Sequence, residues 1–298
     1  MADIAASVLA RLKNEADKQQ IPFQQILILF AHEELLRKIS FSSFKQNFIL
    51  KGGLLIYSLS GFAARPTIDS DYLVEGLDAS GPNFNDIIAE IISIKTGNEF
   101  IKFEIKDFQL ITEQEKYEGT RANLISKIKN TRTHLHLDFG TGDTVIPPVQ
   151  KLKLPVILSD FQQPELFVYS LETVIAEKAE AIIKRMETTS RMKDFYDIFY
   201  LALNNDFAAQ DLQNTLNITF ENRSTVRDIN SIEEINRLID DKIIISRREN
   251  FCEKVLNEEM ELEKVINLII ALLNPPYKAN FNKDKLTQSW DSDDLRYC

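Results

Sequence analysis

Three prolines near the middle of the chain, Pro147, Pro148 and Pro155, separate two stretches with different hydrophobic periodicity. Before them, segments such as FIKFEIKDF alternate between two faces, as half-buried strands do. After them, from Ser170 onward, apolar residues recur at helical spacing, as in SLETVIAEKAEAIIKRM. The pattern predicts an α+β fold: a domain with a mixed β-sheet flanked by helices, followed by a helical C-terminal domain.

The same pattern suggests four parts. Residues 1–46 are expected to form an N-terminal helical appendage packed on the core, residues 47–155 an α/β domain, and residues 156–274 the helical domain. Residues 275–298 begin with Pro275 and Pro276 and are polar apart from a few side chains that include Trp290. We expect this tail to be loosely held.

Composition excludes several classes of protein. With 298 residues, 44% hydrophobic and 27% charged, the chain is long enough for about two folded domains and is not a disordered protein. A net charge of −10 argues against a protein that coats nucleic acid. Two cysteines make no disulfide framework, and the N-terminal stretch resembles no signal peptide. The apolar run 265–273 is too short for a bilayer, so we expect a cytoplasmic protein without a membrane segment.

A glycine pair and two aspartates form the most informative motif. FILKGG predicts a strand that ends in a glycine turn, with a helix beginning near Leu54, and RPTIDSDYLV predicts a second strand. On that strand Asp69 and Asp71 share a face, where hard oxygen ligands suit Mg²⁺. Gly52 and Gly53 allow backbone N–H groups to approach a phosphate. Taken singly, D-x-D and Gly-Gly occur often by chance.

A third acid follows in HLHLDFG. Asp138 lies near the end of this predicted strand, on the same face as His134 and His136. If the strand lies beside that of Asp69 and Asp71, three carboxylates converge in an arrangement that can hold two divalent ions. Alternatively, Asp138 only begins a turn. The histidines allow a zinc interpretation, but no cysteine lies near them, and we expect them to line the site or contact substrate.

The helical half contains a second set of charged residues. Lys178 lies beside the apolar stripe of SLETVIAEKAEAIIKR, where it emerges toward a cleft or belongs to an ordinary solvated face. Asp194 and Asp197 share a helix face. They are either a helix N-terminus rich in acid or a charged lip that meets the carboxylate site.

Together these segments resemble the AbiEii/AbiGii-type toxin nucleotidyltransferases of the DNA polymerase β-like superfamily. The resemblance runs from about residue 31 to residue 225 and rests on collinear segments: FILKGG, RPTIDSD, HLHLDFGTGD, YSLETVIAEKAEAIIKR, RMKDFYDIFYL and, more weakly, TFENRST. It implies a nucleotidyltransferase domain that moves an NMP from an NTP to an acceptor, with pyrophosphate released. It also implies Mg²⁺ as cofactor (two ions fit), tRNA or another RNA as acceptor, and a separate antitoxin protein as partner.

The resemblance also implies roles for individual residues. Asp69, Asp71 and Asp138 would bind metal and, with Lys178, Asp194 and Asp197, form the catalytic set. Nucleotide binding would involve Lys51, Gly52, Gly53, Arg65, Thr67 and Ser70. One departure from the superfamily is Leu54 after the glycine pair, where a hydroxyl is usual; backbone donors, Ser58 or Thr67 would have to replace it. The best basic patch for RNA comprises Arg121, Lys127, Lys129, Arg132, Lys151 and Lys153, unless these are ordinary exposed side chains.

Two other functions use the same residues. A phosphohydrolase or nuclease would employ the carboxylates to activate water. A nucleotide-binding protein without catalysis would retain the fold, and only the Leu54 departure favours it. The intact carboxylates and the glycine turn favour transfer.

Overall fold

A computed structural model describes residues 3–113, 117–256 and 258–298. The chain divides into two compact units. The first unit takes in Met1–Gly142 and Gln150–Val168, and the second takes in Asp143–Val149 and Tyr169–Cys298. The N-terminal helices, within residues 1–46, thus belong to the first unit. The segment with Pro147 and Pro148 belongs to the second.

The first unit contains four helices and seven strands among its described residues. In chain order they are α1 (Ile4–Gln19), α2 (Phe23–Phe41), β1 (Phe48–Lys51), α3 (Gly52–Ser60), β2 (Asp69–Val74), α4 (Phe84–Ser93), β3 (Ile101–Glu113), β4 (Tyr117–Ile128), β5 (Thr131–Gly140), β6 (Gln150–Lys153) and β7 (Glu165–Val168). The Asp3 side chain caps α1 by accepting a hydrogen bond from the N–H of Ala6. Pro22, whose ring presets the backbone for a helix start, stands at the N-cap of α2.

The seven strands form one mixed sheet in the order β3-β4-β5-β2-β1-β7-β6. Strand β2 runs parallel to β5, β1 runs parallel to β7, and the remaining neighbours are antiparallel. On β5 the residues Leu135, Leu137 and Phe139 are buried, whereas the alternate residues are partly exposed. The alternation gives the sheet one apolar face that packs in the core and one polar face, as the period-two pattern predicts.

The second unit is mainly helical. Its elements are α5 (Leu171–Arg185), α6 (Met192–Asn204), β8 (Phe207–Ala208), α7 (Ala209–Asn222), α8 (Lys242–Phe251), α9 (Leu262–Asn282), β9 (Ser289–Asp291) and β10 (Arg296–Tyr297). Ser170 caps α5, because its hydroxyl accepts a hydrogen bond from the N–H of Thr173 at 3.2 Å. A mixed sheet with flanking helices followed by a helical unit confirms the α+β fold class.

The C-terminal segment differs from the loosely held tail that its polar composition suggests. Trp290 is fully buried and donates its indole N–H to the carbonyl of Ala202 at 2.8 Å. Helix α9 also continues through Pro275 and Pro276. Burial of Tyr277 on this turn offsets the missing N–H donors, and its hydroxyl donates to the carbonyl of Asp228. Among the described residues no helix meets the length and hydropathy needed to cross a membrane.

Candidate active site

Three aspartates meet on the polar face of the sheet. In the parallel pairing of β2 with β5, Asp69 stands opposite His136 and Asp71 opposite Asp138. Their side chains are partly exposed, whereas Ser70 between them is fully buried. The register therefore places Asp69, Asp71 and Asp138 on one face of two adjacent strands, as the alternation predicts.

Ser70 lies on the other face from the two aspartates. It alternates with Asp69 and Asp71, so its hydroxyl lies on the opposite, core-facing side of the sheet, where Leu137 is its neighbour in register. This placement argues against Ser70 as a nucleotide contact, and its assignment as one stays a prediction.

Close contacts explain why residues 52 and 53 are glycines. Gly52 begins α3 with φ +69°, and a Cβ there would collide with Oδ2 of Asp71. A Cβ on Gly53 would lie 2.9 Å from Nη2 of Arg65 and 3.0 Å from the hydroxyl of Thr67. The absence of side chains lets Asp71 approach Gly52, and Arg65 and Thr67 approach Gly53.

The start of α3 concentrates positive charge. The first backbone N–H groups of a helix have no partner within it, and they point along the positive end of the helix dipole. Arg65, only 8% exposed, brings its guanidinium to the same turn, and Lys51 occupies the N-cap of α3. A cation beside the positive end of a helix suits an anionic ligand such as a phosphate. Leu54 is buried, and the hydroxyl of Thr67 lies against Gly53.

Arg121 enters the site from β4. It stands opposite Asp138 in the β4–β5 pairing, and its Nε and Nη2 donate to the two carboxylate oxygens at 2.7 and 2.6 Å. The hydrogen bonds to Asp138 and the charges of Asp138, Asp69 and Asp71 raise the pKa of Arg121 above its ordinary value. By sequence alone, Arg121 belongs to the expected RNA patch. Its position is decided by cross-strand register, which neither strand's own pattern reveals.

The donor set fits a hard divalent cation. All three acids are carboxylates on one face, and a guanidinium already neutralises one of them. Among the described residues only Asp291, Asp294 and Cys298 bring three ligand atoms within 4.8 Å of one another. Asp69, Asp71 and Asp138 therefore do not converge that tightly while Arg121 holds Asp138. His134 and His136 likewise form no such cluster among the described residues.

The other cations of the expected RNA patch are largely neutralised. Lys127 pairs with Glu104, Lys129 with Asp3, and Lys151 with Glu165. These are exposed pairs of modest strength that salt screens. The patch is therefore much less positive than its sequence suggests.

His32 contacts the backbone just before the first aspartate. It is fully buried in α2, and its Nε2 lies 2.8 Å from the carbonyl of Ile68, the residue before Asp69. Burial is the main cause that lowers the pKa of His32 to about 4, so the ring is neutral and Nε2–H donates. The sequence offered no partner for His32, because this contact joins a helix to a distant loop.

Lys178, Asp194 and Asp197 form one buried cluster in the second unit. The Nζ of Lys178 lies 3.1 Å from Asp194 and 2.7 Å from Asp197. Arg191 donates to the second oxygen of Asp194 at 2.6 Å. Burial opposes ionisation of Asp194, but the two cations outweigh it and lower its pKa to about 2. Lys178 is thus neither solvated nor an ordinary surface residue.

Arg223, in the weakly matching TFENRST segment, has a related role that its local sequence does not reveal. Its guanidinium pairs with Glu177 at 3.1 Å, Glu180 at 3.2 Å and Asp143 at 3.3 Å. These three carboxylates outweigh its burial and raise its pKa. Glu177 therefore belongs to an ion cluster inside the second unit.

Comparison with a solved structure finds the same fold. The crystal structure of a candidate nucleotidyltransferase from H. pylori is 15% identical and superposes with a TM-score of 0.50, covering 85% of this chain and 96% of that one. The crystal structure of JHP933 from Helicobacter pylori is also 15% identical, with a TM-score of 0.49 and coverage of 86% and 94%. No curated protein matches.

The family comparison extends over most of the chain. Residues 34–278 match the family described as nucleotidyl transferase AbiEii toxin, type IV toxin–antitoxin system. The match includes β1, the glycine turn, all three aspartates and the Lys178 cluster. The chain belongs to the AbiEii family of nucleotidyl transferase toxins.

Proposed function

We propose that this protein transfers a nucleoside monophosphate from an NTP to a hydroxyl of RNA, with tRNA the expected acceptor, in a reaction that depends on Mg²⁺. The observation that carries the proposal is the register of β2 and β5. It places Asp69, Asp71 and Asp138 on one face, beside the glycine-led start of α3. A carboxylate set next to an anion-binding turn matches the needs of a metal–triphosphate substrate.

The chain supplies a distinct group for each part of the reaction. Asp69, Asp71 and Asp138 would hold the metal, with Arg121 leaving Asp138 as it binds. The chemistry that Mg²⁺ supplies at such a site is neutralisation of developing charge and a lower pKa for the attacking hydroxyl. Arg65, Lys51 and the first N–H groups of α3 would bind the triphosphate.

The transfer itself is an in-line displacement at the α-phosphorus. The acceptor oxygen forms the new P–O bond, and the bond from the α-phosphorus to the bridging oxygen breaks. Pyrophosphate leaves, and Asp138 orients the hydroxyl and takes up or passes on its proton. Lys178, Asp194 and Asp197 have a structural role in the second unit, and their role in catalysis stays a prediction.

The family supports a toxin role in the cell. We infer a cytoplasmic bacterial toxin whose activity a cognate antitoxin protein opposes, in a toxin–antitoxin or abortive-infection system. The chain is acidic overall, with a net charge of −10.

A labelling experiment tests the transfer. Purified protein is incubated with Mg²⁺, each α-labelled NTP in turn and total small RNA. Asp71→Asn is the test variant, and Asp86→Asn, at an exposed position of α4, is the matched control. Label in a tRNA-sized band with wild type and D86N, but not with D71N, is the expected result.

Other outcomes distinguish the alternatives. Label on protein would retain the chemistry and replace the RNA acceptor. Shortened RNA without label would favour a nuclease. NTP and metal binding without any turnover would favour a catalytically inactive nucleotide-binding protein. Equal label with D71N would place the metal site elsewhere.

A further inference from the structure

A depression of about 220 Å³ lies on the polar face of β3, β4 and β5. Its polar lining consists of Lys106, Gln109, Arg121, Asn123, His134 and His136. Drug-sized ligands occupy pockets of about 300–1,000 Å³, so this one has room for a single sugar or base. Arg121, which binds Asp138, belongs to its wall, and the depression therefore adjoins the three aspartates.

The neighbours of His136 decide which of its ring nitrogens is engaged. The amide of Asn123 lies between Asp107 and His136, and its Nδ2 donates to the Asp107 carboxylate. Because an ionised carboxylate only accepts hydrogen bonds, the amide oxygen faces His136, 2.6 Å from Nδ1. Nδ1 of His136 must therefore donate, which leaves Nε2 as the ring nitrogen available to a ligand. Among the described residues no group hydrogen-bonds to that Nε2.

The depression lies on the side of the aspartates opposite the glycine turn. The sheet order runs β4, β5, β2, β1, with the glycine turn following β1 and the depression on β3, β4 and β5. An in-line displacement places the attacking and leaving oxygens on opposite sides of the phosphorus. With the triphosphate at the start of α3, the acceptor approaches over β5.

We propose that this depression receives the terminal ribose of an RNA acceptor, and that Nε2 of His136 forms a hydrogen bond with its 2′-hydroxyl. The inference rests on the proposed function and gives it a specificity-determining residue. A ring nitrogen with no partner in the described protein suits a hydroxyl, which can donate or accept, and Lys106 on the rim suits the preceding phosphate. The 2′-hydroxyl is the group that distinguishes RNA from DNA.

Cations on the wall favour RNA over a protein hydroxyl as the occupant. A serine or tyrosine acceptor would bring a hydroxyl without a phosphate for Lys106. The neighbouring Arg121, once Asp138 is released, adds a second cation at the same wall. A ribose linked to a phosphate would contact both His136 and these cations.

The test compares two probes that differ in one oxygen. A 5′-fluorescein-labelled 12-nucleotide RNA is compared with the same RNA whose last residue is 2′-deoxy, so both retain the 3′-hydroxyl. Binding to the full-length protein is followed by fluorescence anisotropy, which requires no turnover. We expect wild type to bind the all-ribose end about fivefold to tenfold more tightly, the size of one hydrogen bond.

Two substitutions at one position provide the matched pair. His136→Asn retains a side-chain amide near Nδ1 and loses the Nε2 position, whereas His136→Gln reaches it. We expect H136N to bind both probes equally and H136Q to retain a preference for ribose. Circular dichroism and thermal melting check that both variants fold. Because both retain a polar side chain on a partly exposed strand face, neither fills nor empties the core.

Different results would contradict the ribose contact and the transfer reaction. Equal binding of the two probes by wild type, or a preference that survives in H136N, overturns the ribose contact even if NMP transfer is observed. A His136-dependent preference without any transfer supports the RNA subsite and removes the proposed reaction. Absence of RNA binding together with label on protein overturns the subsite and assigns the acceptor to protein.

Discussion

The guanidinium of Arg121, on β4, donates hydrogen bonds to both carboxylate oxygens of Asp138 on the neighbouring strand β5, at 2.7 and 2.6 Å. Bidentate pairs of this kind are among the stronger hydrogen-bonded contacts. Since Asp138 is one of the three expected metal ligands, the ion pair makes Arg121 and a divalent cation competitors for the same oxygens.

That competition predicts the effect of removing the arginine. Arg121→Gln frees Asp138, so Mn²⁺ or Mg²⁺ should bind the nucleotide-free protein several-fold more tightly in calorimetry. Arg132→Gln, at an exposed position of β5, is the control and should leave metal affinity unchanged. Weaker metal binding in R121Q would mean that Arg121 supports the site without competing for it.

A pair of glycine variants separates a clash from backbone strain. Gly52 and Gly61 both have positive φ, +69° and +62°, but only at Gly52 would a new Cβ meet another group, the Asp71 carboxylate. Each alanine should cost about 1 kcal/mol of stability from φ alone. G52A should in addition lose most transfer activity and metal binding, whereas G61A should retain both. Equal activity of the two variants would disconnect the glycine turn from the site.

Periodicity predicted the sheet face, because Asp69, Asp71 and Asp138 follow the period-two rule on their own strands. The same rule argues against Ser70, which the motif-based assignment included. Contacts that depend on pairing between distant segments could not be read from a single stretch. Arg121 with Asp138 and His32 with Ile68 are of this kind.

The C-terminal region shows a second limit. Prolines and polar residues predicted a helix end and a loose tail, but single large side chains decided the outcome. Tyr277 and Trp290 are fully buried, and each donates one hydrogen bond to a backbone carbonyl. The average composition of a segment does not reveal such buried side chains. Tertiary packing then overrides the local preference for or against a helix.

Lys178 is predicted to act as a structural cation. Lys178→Met would leave Asp194 and Asp197 buried without their shared partner, which should lower the free energy of unfolding by about 3–5 kcal/mol. Lys184→Met, exposed on the same helix, should change it by less than about 0.5 kcal/mol. Urea unfolding measures both. A K178M protein that is fully stable but transfers no NMP would instead support the catalytic role that the family resemblance implies.

The same cluster predicts sensitivity to acid. The pKa of Asp194 falls from 3.8 to about 2 on folding, so its ionised form stabilises the native state at pH values above 3.8. This contribution should disappear as the pH falls from about 4 to 2. Asp194→Asn should therefore weaken the dependence of unfolding on pH in that interval, measured by urea midpoints. An unchanged profile would contradict the lowered pKa.

Glu33 predicts the opposite dependence on pH. It is buried in α2, and burial is the main cause that raises its pKa from 4.5 to about 8, although Oε1 accepts a hydrogen bond from the N–H of Ile157 at 2.8 Å. A carboxyl whose pKa is raised on folding favours the native state most below its unfolded pKa, and the penalty grows as the pH rises from 4.5 to 8. Glu33→Gln removes the charge, so it should stabilise the protein by up to about 4 kcal/mol at pH 8.5 relative to its effect at pH 4. Glu90→Gln, exposed on α4, controls for surface charge. Urea midpoints at the two pH values give the comparison, and an equal effect of E33Q at both would show that folding does not raise the pKa of Glu33.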